Sequence, residues 1–185
     1  MRTPIEVTVD DDPTYRPWGT VTPLFWAGSS PAPAADSPAP VPEAVRERLA
    51  AIADASAAGD AGKAGALAHQ LDEEITAEYG EAHLHTVHIR EVRAHLAHLA
   101  GDESTALGWY LHTARLRAAV QGSDHPDTGQ ATRRVYSLWR AVPTPDSRRL
   151  GAELLATVTD IHGPQALVAR RTRARLDSLA APARS

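Results

Sequence analysis

The sequence predicts an all-α fold, and three observations carry that expectation. Alanine fills 35 of the 185 positions while phenylalanine occurs once, so the core is built from Ala, Leu and Val. That composition suits closely approaching helices and suits β-sheets poorly, because strands favour β-branched and aromatic side chains. From Glu43 onward, short Gly-containing turns interrupt the chain at regular intervals. Finally, residues 58–86 laid over residues 100–128, a shift of 42, give eight identities in 29 positions. Self-similarity at that period marks a stacked helical repeat.

Taken in order, residues 1–42 form an arm that cannot join such an array. They hold 9 of the 14 prolines, and "SSPAPAADSPAPVP" (residues 29–42) reads as an extended, semi-rigid linker. Before the linker lies an aromatic island with Tyr15, Trp18, Phe25 and Trp26, preceded by the acidic run Asp10, Asp11 and Asp12. A first helix is expected over 43–57, ended by "AGD" at Ala58–Asp60. The stripe Ala64, Leu67, Leu71 and Ile75 predicts a helix over 61–79, which Gly80 stops. Ile89, Val92, Leu96 and Leu99 predict the next over 82–99, ended by a second "AGD" at Ala100–Asp102. Leu107, Tyr110, Ala114 and Ala118 give the returning helix, 103–121, which Gly122 terminates. Asp124 as N-cap with Pro126 in the first turn opens a helix over 125–141. Helices over 146–162 and 164–180 flank a third echo at Gly163, and residues 181–185 are expected to be disordered.

The residues that recur resemble a known repeat. Ala94, Gly101-Asp102, Ala106 and Tyr110 fit it, and "QGSDHPDT" (Gln121–Thr128) matches its closing signature, with "YGEAHLHT" (Tyr79–Thr86) a looser copy. The pattern resembles the tetratricopeptide repeat, in the 42-residue variety of kinesin light chains and bacterial relatives. The resemblance covers about residues 43–163. It implies an α-solenoid of three helical hairpins with a C-terminal capping helix, and a protein-protein interaction adaptor or scaffold. The third unit departs from it: Tyr136 stands where a small residue is expected, and "VPTPDSRRL" replaces the Gly turn.

In such repeats the first helix of each pair lines the concave surface. The resemblance therefore implies a groove of Arg46, then His88, Glu91 and His95, then Gln130, Arg133, Arg134, Ser137 and Arg140. This Arg/His wall suits an acidic or extended peptide held by charge-assisted hydrogen bonds. The arm is expected either to dock on that groove as an autoinhibitory competitor or to offer its aromatics to a partner.

Five histidines, His83, His85, His88, His95 and His98, fall within residues 83–98. His83 aligns with His125 and belongs to the repeat. The others lack an H-E-x-x-H arrangement, so no metal ligand set is assigned, and their expected property is a charge that titrates near pH 6.5. A His-rich zinc protein is one alternative reading. A second is an Arg-rich nucleic-acid-binding regulator, because Arg170, Arg171, Arg173 and Arg175 share the last helix; they fan around it, however, and the chain is acidic overall.

No catalytic residues and no cofactor are expected. No G-x-S-x-G is present, and the glycines sit at helix ends, where C-caps need them. Cysteine is absent, which removes disulfides and thiolate chemistry. Arginine outnumbers lysine 18 to 1, as in GC-rich bacterial genomes. With no membrane-length apolar run, a cytoplasmic protein is expected. Residues 1–128 carry 19 acidic and 9 basic side chains, residues 129–185 only 4 acidic and 10 basic. That split can steer a ligand or promote homo-oligomerisation.

Overall fold

The computed structural model describes residues 41–142 and 146–180. These form seven helices: α1 (Glu43–Ala57), α2 (Ala61–Tyr79), α3 (Leu84–Leu99), α4 (Glu103–Gln121), α5 (Pro126–Ala141), α6 (Asp146–His162) and α7 (Leu167–Ala180). Among the described residues there are no strands, and the fold is all-α. Each helix packs against the next, and α4 also meets α6 while α5 meets α7. No helix of the described residues is long and apolar enough to cross a membrane.

The 42-residue sequence repeat is a repeat of local geometry. After α1, Gly59 takes φ +77°, which lets the Gly59 and Asp60 amides donate back to Ser56 O and Ala55 O, each at 3.0 Å. This is a Schellman ending, and it needs a residue that tolerates a left-handed backbone. Asp60 then caps α2 by accepting from the Lys63 amide at 2.9 Å. After α3 the same turn recurs: Gly101 has φ +78°, Asp102 N donates to Ala97 O at 2.9 Å, and Asp102 Oδ1 accepts from Thr105 N at 3.0 Å. The closing signature is equally regular. The imidazole Nδ1 of His83 accepts from His85 N at 3.1 Å, and that of His125 accepts from Asp127 N at 3.2 Å. Thr86 donates to Gly80 O and Thr128 to Gly122 O, at 2.6 and 2.9 Å.

Four expectations are corrected here. α3 begins at Leu84 with His83 as its N-cap, α5 is capped by His125 and not by Asp124, and α7 begins only at Leu167. Leu99, placed on the apolar stripe of α3, is 55% exposed; Val87, Ile89, Val92 and Ala94 are the buried apolar residues of that helix.

The main core gathers Ala94, Leu107, Tyr110, Leu111 and Ala114 with Val135, Trp139, Leu150, Leu154 and Val158. Its largest member is Trp139, fully buried, whose indole N–H donates to Ser147 O at 2.6 Å. Gly151 makes room for it: a Cβ there would lie 2.4 Å from Trp139 Cζ2 and 2.8 Å from Leu176 Cδ2. One repeat earlier the positions equivalent to Trp139 and Gly151 are Ala97 and Trp109, so the large and small partners have exchanged helices. Tyr136, where a small residue is expected, is half-buried and tilts against Trp139 at 6.0 Å.

Candidate functional site

Helix α3 carries polar side chains on two nearly opposite faces, because residues four apart align while those two apart diverge by about 200°. The first face bears His88, Glu91 and His95. Glu91, expected to point into a groove or solvent, is 4% exposed. Its carboxylate accepts from Arg117 of α4 in a two-pronged pair, Nε to Oε1 at 2.8 Å and Nη2 to Oε2 at 2.9 Å. Burial alone would raise the Glu91 pKa. The hydrogen bonds and charge of Arg117, with a smaller contribution from Arg134, outweigh it and hold the group below its ordinary value. Arg117 is raised in turn, because its bonds to Glu91 overcome its burial.

His88 lies beside this pair. Burial, reinforced by the Arg117 charge, pushes its imidazole down to about 4. Burial and the neighbouring His98 and Arg134 lower His95 too. The expected titration near pH 6.5 is thereby corrected: at neutral pH both imidazoles are uncharged. The positive charge facing α3 comes from Arg134 of α5, whose guanidinium carbon stands 5.7 Å from the Tyr110 ring centroid. Burial pushes the Tyr110 hydroxyl up to about 12. The structure thus brings together His88, Glu91, His95 and Arg134.

The other groove residues sit apart from that cluster. Arg46 is exposed on α1 and pairs with Glu43. Gln130, Arg133 and Arg140 are exposed on α5, and Ser137 is half-buried there. His85 packs edge-on to Tyr79 at 5.1 Å, and His98 donates to Glu103 at 2.6 Å. Among the described residues no three His, Asp or Glu side chains form a group that could hold a metal ion. Arg170, Arg171 and Arg173 are exposed. Arg175 instead lies over Trp139 at 5.5 Å and donates to Arg140 O at 3.2 Å. Tyr15, Trp18, Phe25 and Trp26 lie outside the described residues.

The second face of α3 went unread in the sequence. Arg90 donates Nε to Asp72 of α2 at 3.1 Å and shares a 2.8 Å hydrogen bond between Nη1 and His112 Nε2 of α4. Arg93 donates to the other oxygen of Asp72 at 2.5 Å and stacks over Trp109 at 4.2 Å. Asp72 is 4% exposed. A signal for such pairs was available. Arg117 occupies the repeat position of Ile75, which is buried, so a charge there demands a buried partner. Comparison with known proteins adds no relative: no family model and no curated protein matches the chain.

Proposed function

We propose that the chain is a non-catalytic interaction protein, a tetratricopeptide-like α-solenoid of three helical hairpins and a capping helix. It receives an acidic or extended peptide on the face shared by α3 and α5. The observation that carries this reading is the electrostatics of that face. Glu91 and, at 3.6 Å, Asp127 at the start of α5 share Arg117, the histidines are uncharged, and Arg134 adds a second positive group between the two helices. Exposed Arg133 and Arg140 extend the same sign along α5. The recurrence of cap and turn geometry at a 42-residue spacing supports the solenoid part. A hydrogen bond between Ser104 and Asp146, equivalent positions of successive units, supports it as well.

The test is fluorescence anisotropy with a labelled Glu/Asp-rich peptide. Binding should weaken as salt rises, since charged contacts are screened over about 8–10 Å. Arg134→Glu should weaken it at least tenfold, while Arg171→Glu, on the exposed side of α7, should leave it within a factor of two. Equal losses in the two variants would make the attraction a property of net charge and remove the α3–α5 face from the reading.

A further inference from the structure

The Arg90 face of α3 borders a depression of about 500 Å³ lined by Glu81, Arg90, Thr105, Gly108, Trp109 and His112. That volume lies in the range of small-molecule sites, roughly 300–1,000 Å³. Its two cations are unequally held. Asp72 serves two guanidinium groups, those of Arg90 and Arg93, and the second carboxylate, Glu81, reaches Arg90 from the exposed rim at 3.4 Å. The Arg90 side chain is 9% exposed, so most of its hydration is gone. His112 offers no compensation: burial and the Arg90 charge lower its pKa, leaving a neutral acceptor. The remaining partners of Arg90 are distant, with Thr76 Oγ1 and Glu81 Oε1 both at 3.4 Å. Glu81 is 70% exposed, a carboxylate resting at the rim.

The arrangement is particular to this unit. One unit later the positions of Asp72, Arg90, Trp109 and His112 are held by Ala114, Thr132, Gly151 and Leu154. Ala114 and Leu154 join the apolar core there. A buried cation whose outer counterion is a rim carboxylate has the features of a ligand site.

We propose that this depression binds a small organic acid: a carboxylate that displaces Glu81 from Arg90, joined to an apolar body that rests beside Trp109 above Gly108. The carboxylate takes the place of Glu81 as the second counterion, and guanidinium and carboxylate match in a planar, two-pronged geometry. Arg93 and His112 fix the indole, stacking on it at 4.2 Å and standing edge-on at 6.0 Å. The apolar wall is therefore already in place before the ligand arrives. This site is independent of the α3–α5 face, and either can fail without the other.

Gly108 provides a clean block. A Cβ there would meet nothing within 4 Å, and glycine inside a helix is less favourable than leucine. Gly108→Leu should therefore fill the depression without harming the fold. The experiment is a ¹⁵N–¹H NMR titration of the full chain with benzoate and with benzamide, following the Trp109 indole N–H assigned by Trp109→Phe. Benzoate should shift that signal saturably, and benzamide at equal concentration should not. Glu81→Gln should tighten benzoate severalfold by removing the internal competitor. Gly108→Leu should abolish the shift with a thermal midpoint equal to or above that of the parent. Equal shifts from benzoate and benzamide, or a shift that survives Gly108→Leu, would overturn the proposal. So would binding of N-acetyl-leucine without binding of benzoate, which would assign the depression to a peptide terminus.

Discussion

Glu91 and Arg117 show what a single buried pair does to this molecule. Both side chains are under 10% exposed, so removing one strands the charge of the other. Glu91→Ala should destabilise the protein by about 3–5 kcal/mol, measured by urea unfolding. Glu91→Leu combined with Arg117→Met should cost less than Glu91→Ala alone, because no uncompensated charge remains. Gly151 is the second decisive residue. A methyl group at 2.4 Å from the Trp139 ring overpacks the core, at about 1–3 kcal/mol. Gly151→Ala gains about 1 kcal/mol in helix propensity, but the clash with a fully buried indole is the larger effect. The variant should lower the unfolding midpoint, and Trp139→Phe should partly relieve it. Neither contact could be foreseen from composition. Arg117 could be suspected from its alignment with Ile75, but the identity of its partner depends on how α3 and α4 rotate against each other.

At the level of the helix and its ends, much was legible. The "AGD" turns and the His83/Thr86 and His125/Thr128 pairs name residues whose roles are local, fixed by backbone geometry within a few positions, and so they read directly as turns and caps. Asp102→Ala should remove the Thr105 bond and cost about 1 kcal/mol in thermal or urea unfolding. Gly122 has φ +94° and ψ +159°, a region that essentially only glycine occupies, at a cost of about 1–3 kcal/mol for other residues. Gly122→Ala should destabilise by that amount although no atom crowds the site. The start of α5 was misread because two capping residues, Asp124 and His125, stand side by side, and only the backbone decides which accepts. The third unit was hardest to read, because its packing rests on the exchange of bulk between Ala97/Trp109 and Trp139/Gly151. No single helix pattern displays that exchange.

Across the whole molecule, burial gives the histidines a common direction. His85, His88, His95, His112 and His162 all have lowered pKa values, with burial as the leading cause. The unfolded chain therefore binds more protons than the folded one as pH falls below about 6.5. For His88, lowered from 6.5 to about 4, the stability is fully present above pH 6.5. It is lost as pH drops toward 4, to an extent on the order of 3 kcal/mol. The depressed Glu91 acts in the same sense at still lower pH. Urea midpoints should fall steadily from pH 7 to pH 4, and His88→Gln should flatten that slope. The sequence showed where the histidines are. Their lowered pKa values follow from burial between packed helices, a consequence of tertiary packing that periodicity does not contain.

The most direct examination of the peptide-binding face is amide hydrogen exchange on the full chain with and without a Glu/Asp-rich peptide. Slowed exchange confined to α3 around His88–His95 and to α5 around Arg133–Arg140 is the expected result. Protection that instead appears on α7 around Arg170–Arg173, or no change in α3 and α5 at saturating peptide, would contradict it.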